Sequence, residues 1–263
     1  MRYAIQVQYI GKNYAGSQIQ FKNGMEISKP TIQGELEKAL CTLIFGKSDK
    51  KKAVCRNQNT RPIKTVFSGR TDSGVNAVGQ TVHFDTDVEI VASNLIYHVN
   101  EILPKDISIS DLHSVPDSFH AQRSALKRWY RYELINREYK QAFDGDLIRV
   151  KYPLDIERMN KSLKYLLGEH DFSSFKSSGT HNPSKVCILY RADVESQGDR
   201  VVLNIEGNHF LYNMVRTIMG TLLEIEGHDL NPEHMKAVLE TRDRRKAGHT
   251  ASPLGLTLMK VTY

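Results

Sequence analysis

Residues 67–87 read FSGRTDSGVNAVGQTVHFDTD, and this stretch sets the reading of the whole chain. Gly69, Gly74 and Gly79 permit a tightly turned backbone. The residues after them, QTVHFDTD, have the β-branched and aromatic character of a strand. Upstream, Tyr3, Ile5, Val7 and Tyr9 alternate as a half-buried strand does, and the loop GKNYAGSQIQFKNG follows. Ile32, Leu36, Leu40, Leu43 and Ile44 then recur at helical spacing behind a Thr31 cap, with Gly46 placed to end the helix. Downstream, DISISDLH reads as a further strand, and the hinge-like VPDSFHA separates an N-terminal half, residues 1–115, from a C-terminal half, residues 116–263.

The second half opens with the alternating RWYRYELIN. A helix follows in which Ile156, Met159, Leu163, Leu166 and Leu167 form one stripe ended by Gly168, and then two strands, VCILYRADVE and DRVVLNIE. From Asn208 to Ile225 the spacing predicts a helix with Leu211, Met214, Val215, Ile218, Met219 and Leu222 on one face. Arg216 is turned away from that face, alongside His209, Tyr212 and Asn213. Asn231, Pro232 and Glu233 start another helix, and GLTLMKVTY is a closing strand. Strands and helices mix without strict βαβ alternation, so the expected class is α+β with mainly antiparallel sheets.

Composition narrows the function. The 263 residues are 40% hydrophobic and 25% charged, and no window approaches the roughly 20 apolar residues of a membrane span. The opening MRYAIQVQY alternates and lacks the apolar block of a signal peptide. Cys41, Cys55 and Cys187 match no zinc or CxxC pattern, and the separation of His228 and His234 suits no common ligand motif. A reduced, cytoplasmic protein without a metal site is expected. The net charge of +6 favours an anionic partner. Residues 46–64 carry seven basic side chains against Asp49 and read as an exposed basic loop, 47–64. Residues 119–140 interleave six Lys or Arg, Lys127, Arg128 and Arg131 among them, with Trp129, Tyr130, Tyr132 and Tyr139. That mixture suits phosphates and unpaired bases of RNA, and it equally suits a two-faced strand with a buried aromatic side.

In the glycine-rich turn, Arg70 and Asp72 are one residue apart. A carboxylate held beside an arginine has its charged form favoured and is available as a nucleophile; the plainer alternative is a turn with a surface ion pair. Asp72, Ser73 and Gly74 also spell the DSG of aspartic proteases, but the second aspartate which that chemistry shares a proton with is missing. No Walker loop, GxGxxG turn or GxSxG elbow occurs.

GRTDSGVNAVGQTVHFDT resembles the GRTDAGVHAxGQVVHF signature of the TruA family of tRNA pseudouridine synthases. KRWYRYELIN, LLGEHDFSSF, GNHFLYNMVRTIMGTLLEI and KAGHTASPLGLTLMKVTY are similar to four further family segments, in the same order. The resemblance implies two α/β halves with mainly antiparallel sheets joined around a central basic cleft, the pseudouridine synthase fold. It implies a homodimeric isomerase, an intramolecular transferase that needs no cofactor, acting on tRNA at the anticodon stem-loop, positions 38–40. By position, Asp72 matches the nucleophile, Tyr130 the active-site tyrosine, Arg216 the arginine paired with the aspartate, and Arg70 a residue that contacts RNA. Lys127, Arg128 and Arg131 are the further RNA-binding candidates. Tyr9-Ile10-Gly11 and Gly16-Ser17-Gln18 stand where the family has YDG and GWQ, Gln122 stands for an arginine, and Asn76 and Asn213 stand where histidines are frequent. These departures bear on the RNA target more than on the chemistry. They leave two alternatives to the tRNA enzyme: a paralogue acting on another RNA, and a non-catalytic RNA-binding module.

Overall fold

Alternating apolar side chains at Tyr3, Ile5, Val7 and Tyr9 do form a strand, β1 (Arg2–Tyr9), and it is paired on both sides. The computed structural model describes residues 1–22, 25–26, 28–44, 63–179 and 184–263. The chain divides into two compact units, residues 1–125 with Tyr263, and residues 126–262.

In the first unit β1 is followed by β2 (Phe21–Lys22), β3 (Met25–Glu26), α1 (Ile32–Ile44), β4 (Thr65–Phe67), β5 (Asn76–Asp85), α2 (Ala92–Ile102) and β6 (Ile107–Val115). Antiparallel β1 lies between β5 and β6, and β4 adds to β5. Register sets Ile5 opposite Val82 and Tyr3 opposite Phe84, whose rings stack at 5.9 Å. Thr31 caps α1 by accepting the Gly34 N–H at 3.1 Å, and Ile32, Leu36 and Leu40 are wholly buried. Gly46 and the basic loop up to Pro62 lie outside the described residues. The β5 strand starts at Asn76, four residues earlier than its sequence pattern suggests. The hinge-like segment is tied down rather than loose: Arg2 donates to the Asp117 and Phe119 carbonyls, and the Ala121 N–H donates to His83 Nδ1 at 3.1 Å.

The second unit comprises β7 (Lys127–Asn136), β8 (Arg149–Val150), α3 (Ile156–Lys164), β9 (Gly168–Asp171), β10 (Val186–Gln197), β11 (Arg200–Gly207), α4 (Met214–Gly227), α5 (Glu233–Thr241) and β12 (Leu256–Thr262). Its antiparallel order is β12-β7-β11-β10-β9, with β8 running parallel beside β7. The α3 stripe is right but the helix stops at Lys164, and Leu167 is exposed. The α4 helix corrects the sequence reading more substantially. It begins at Met214, not Asn208, because Asn213 takes a left-handed φ of +61° that α-helical hydrogen bonding cannot continue through. His209, Tyr212 and Asn213 therefore belong to the preceding loop. The predicted apolar face, from Leu211 to Leu222, is buried as expected.

Candidate active site

In the first unit, the turn carrying Asp72 is fixed from behind by buried polar side chains drawn from three distant segments. Ser17 and Thr71 exchange hydrogen bonds, Ser17 N–H to Thr71 O at 3.0 Å and Thr71 N–H to Ser17 Oγ at 2.8 Å. The Thr71 hydroxyl meets Tyr9 OH at 2.7 Å. Gln80 Nε2 donates to Gly69 O at 2.9 Å, and its carbonyl accepts from Ser68 Oγ. Ser17, Ser68, Thr71 and Gln80 are all buried, so losing any one of these partners costs the desolvation of the other, on the order of 1–3 kcal/mol. Burial pushes the Tyr9 phenol up to about 12, which keeps it a neutral partner. Gly16 bridges to Asp72 with a φ of +128°, and a side chain there would stand 2.9 Å from Thr71 O. Asp72 itself is half-buried, its carbonyl accepting the Val75 N–H at 3.1 Å. Of the three glycines read as turn-makers, only Gly74 takes a left-handed φ, +85°. Arg70 is exposed, and its Nε donates to Gln18. Asn76 Oδ1 accepts the Gly11 N–H at 2.9 Å.

The second unit carries Tyr130 and Arg216. Tyr130 lies on β7, between Ile205 and Leu258 of its two neighbouring strands, with its ring edge-on to Phe210 at 5.1 Å. Arg216 is in the first turn of α4. Its Nε donates to Ala251 O at 2.7 Å and its Nη1 to Asn213 Oδ1 at 2.7 Å, both neutral acceptors, and the Ala251 N–H returns a bond to Arg216 O at 3.1 Å. The left-handed Asn213 also donates Nδ2 to Ser177 Oγ at 3.0 Å, so one amide spans the α4 start and the Ser177 loop. Burial raises the neighbouring Tyr132 phenol, with Arg216 opposing, and its OH donates to Ser252 O at 2.9 Å.

Strand alternation separates the three basic candidates on β7. Arg128 shares the face of Tyr130 and Tyr132 and donates to Asn208 O at 2.6 Å. Lys127 and Arg131 lie on the opposite face with Trp129. There Glu206 meets Lys127 at 3.2 Å, and Glu133 binds Arg131 together with Arg200. Of the two aromatic readings, the strand is two-faced, with Tyr130 and Tyr132 on its buried side.

A family model described as tRNA pseudouridine synthase matches residues 163–263. The chain is 38% identical over 260 residues to tRNA pseudouridine synthase A of Thermoanaerobacter sp. (strain X514), covering 98% of each chain. It is also 38% identical over 264 residues to tRNA pseudouridine synthase A of Bacillus subtilis (strain 168), covering 100% of this chain and 99% of that one. The chain belongs to the tRNA pseudouridine synthase A family. Its activity class is therefore isomerase, a uridine isomerisation in tRNA. A chain from the crystal structure of a Cbf5-Nop10-Gar1 complex aligns with a TM-score of 0.40 and 9% identity, over 97% of this chain and 48% of that one, too slight a likeness to bear on the site.

Sequence reasoning singled out neither Tyr9, Ser17 and Gln80 as supports of the Asp72 turn nor Ala251 and Asn213 as the holders of Arg216. Ser17 and Gln80 each directly follow a glycine, Gly16 and Gly79, and each stands beside another polar residue, Gln18 and Thr81. No local signal therefore marks them for burial, because such residues are buried only when partnered.

Proposed function

We propose that this isomerase acts on uridines of the tRNA anticodon stem-loop, with Asp72 as nucleophile and Tyr130 and Arg216 completing the centre. The reaction breaks the bond between sugar C1′ and base N1, rotates the base and joins C5 to C1′; C5 loses a proton and N1 gains one, so the product is an isomer of the substrate. It needs a nucleophile and a proton acceptor, and neither a redox partner nor a phosphate donor. Asp72 attacks C1′ or the base, or promotes elimination to a glycal. Tyr130 stacks on the uracil and relays the C5 proton. Arg216 keeps Asp72 ionised and fills the stack vacated by the flipped uridine. Arg70 contacts the RNA, and Lys127, Arg128 and Arg131 add phosphate contacts, Arg128 from the tyrosine's own face. The observation that carries this reading is the fixed turn around Asp72, held by buried Ser17, Thr71, Tyr9 and Gln80 while the aspartate stays half-exposed. Rigid support of a reacting group is what positional catalysis requires.

The enzyme works as a homodimer in the cytoplasm in this proposal. Cys187 is buried with its Sγ 3.3 Å from His209 Nε2, and among the described residues no helix is long and apolar enough to cross a membrane. The test is carbodiimide mapping of tRNA before and after incubation with the protein. New pseudouridine confined to the anticodon arm supports the assignment. Modification elsewhere would move the target to another RNA element, where Asn76 and Asn213 are the first departures to revert.

A further inference from the structure

We propose that a cationic depression in the second unit, built on Arg244 and Lys185, is a subsite for the phosphodiester backbone of the substrate tRNA; the proposal rests on the tRNA reading of the same site. The depression has a volume of about 430 Å³, and its lining includes Lys176, Lys185, Arg242, Arg244, Ser177 and Asp243. Asp243 does not neutralise it. That carboxylate is bound by Arg245, with Nε at 3.0 Å and Nη2 at 2.8 Å, which pulls its pKa down to about 2.

Arg244 is the most telling residue. Its Nη1 donates to Ala247 O at 3.1 Å and its Nη2 to Thr250 Oγ1 at 3.0 Å. Both acceptors are neutral, so the guanidinium is oriented while its charge remains unspent, the arrangement that suits a phosphate. Lys185 is exposed and has no ion pair among the described residues.

The depression shares its frame with Arg216. Ser177 in its lining accepts from Asn213, which in turn accepts from Arg216. From Arg244 the chain runs to Ala251, whose carbonyl holds Arg216 Nε, and on the way the Gly248 N–H donates to Thr221 Oγ1 at 3.0 Å. A phosphate seated here is therefore fixed relative to the arginine assigned to the reacting uridine. A second depression of about 540 Å³ shares Arg242 but is mixed in charge: Asp171 faces Arg242 at 3.6 Å and Glu240 faces Lys236 at 3.8 Å, so the unspent positive charge lies in the first depression, at Arg244 and Lys185. Arg244 and Lys185 share one lining, and the substrate of this family is a polyanionic tRNA, so a backbone phosphate is the anion expected between them.

The test is filter binding of unmodified tRNA across a series of KCl concentrations with Lys185→Ala, Arg244→Gln and the double variant, and with Lys105→Ala in the first unit as the control. Each lost phosphate contact lowers the magnitude of the slope of log affinity against log salt by about 0.7–0.9, and the double variant loses about twice that. Lys185→Ala removes no hydrogen bond among the described residues, so its slope can be read even if Arg244→Gln loosens the 244–251 segment. Inorganic phosphate added at matched ionic strength should weaken tRNA binding by wild type more than by the double variant. Unchanged slopes in Lys185→Ala and the double variant overturn the proposal, as does an equal loss in Lys105→Ala; phosphate sensitivity with unchanged tRNA slopes identifies a small-anion site and also overturns it. Pseudouridine formation by wild type is measured on the same tRNA. Its absence refutes the isomerase target without altering what the slopes decide.

Discussion

Replacing Gly220 with alanine separates helix propensity from packing at the support of Arg216. Gly220 lies within α4 with its backbone pressed against His249: a Cβ there would stand 1.7 Å from the His249 carbonyl oxygen, and one on Gly248 would stand 2.6 Å from Gly220 O. A relaxed C···O contact is about 3.3 Å, so the 248–251 segment must retreat by roughly 1.5 Å. That segment holds Arg216 through Ala251, at 2.7 Å and 3.1 Å. Propensity alone favours alanine in a helix by about 1 kcal/mol, whereas overpacking costs about 1–3 kcal/mol. The balance predicts a net loss and a Tm lower by a few degrees. Displacing a positioned catalytic group by an ångström costs on the order of 10²-fold in rate, so with Arg216 in its proposed role turnover should fall by about that factor. Thermal unfolding followed by circular dichroism, with pseudouridine formation under saturating tRNA, measures both. A raised Tm, or turnover within roughly twofold of wild type, would refute the packing argument.

Two further predictions concern stability. Glu226 has no exposed side-chain surface and accepts from Arg158 Nε at 2.8 Å, Arg158 Nη2 at 2.9 Å and the Asp155 N–H at 2.9 Å, joining α4 to the start of α3. Glu226→Ala should destabilise by about 3 kcal/mol in urea titration, the low end for a broken buried pair because Asp229 still binds Arg158; a loss no larger than that of an exposed-site control would show the pair contributes nothing. His83 is drawn from 6.5 down to about 4, first by burial and then by Arg2 and His120. Between those values the unfolded chain binds the proton and the folded chain does not, so this contribution is complete above pH 6.5 and is lost as the pH falls toward 4. His83→Asn should flatten the pH dependence of the urea midpoint in that window, and a wild-type slope kept by the variant would assign it to other groups.

Legibility of the fold followed the strength of local periodicity. The strands β1, β7, β10, β11 and β12 were readable because alternation and burial coincide, as at Tyr3, Ile5 and Val7. The α2 helix was not: its N-cap, Val91, makes no side-chain capping bond, and of its residues only Leu95 and Val99 are buried. The start of α4 was masked because Leu211 continues the helical spacing, and the left-handed Asn213 that breaks it is a backbone property no periodicity reports. At the site, the glycine-rich turn pointed to Asp72, but the residues that brace it are far apart in sequence. Tyr9 meets Thr71 only because β1 pairs with β5. Arg244 was hidden in a basic run, where its distinction from Arg245 lies in neutral rather than acidic partners.

The nucleophile assignment is the claim on which the rest of the mechanism depends, and Asp72→Asn addresses it directly. Asparagine keeps the size and most of the hydrogen bonding but removes the anionic oxygen. Affinity for tRNA comes mainly from phosphate contacts by many Lys and Arg side chains, so it should stay within about tenfold of wild type. Tritium release from C5-labelled tRNA should be abolished, because the proposed mechanism makes or breaks its bonds through the carboxylate. Release by wild type with none from Asp72→Asn, at near-equal affinity, is the predicted result; release by Asp72→Asn at the wild-type rate would contradict the account.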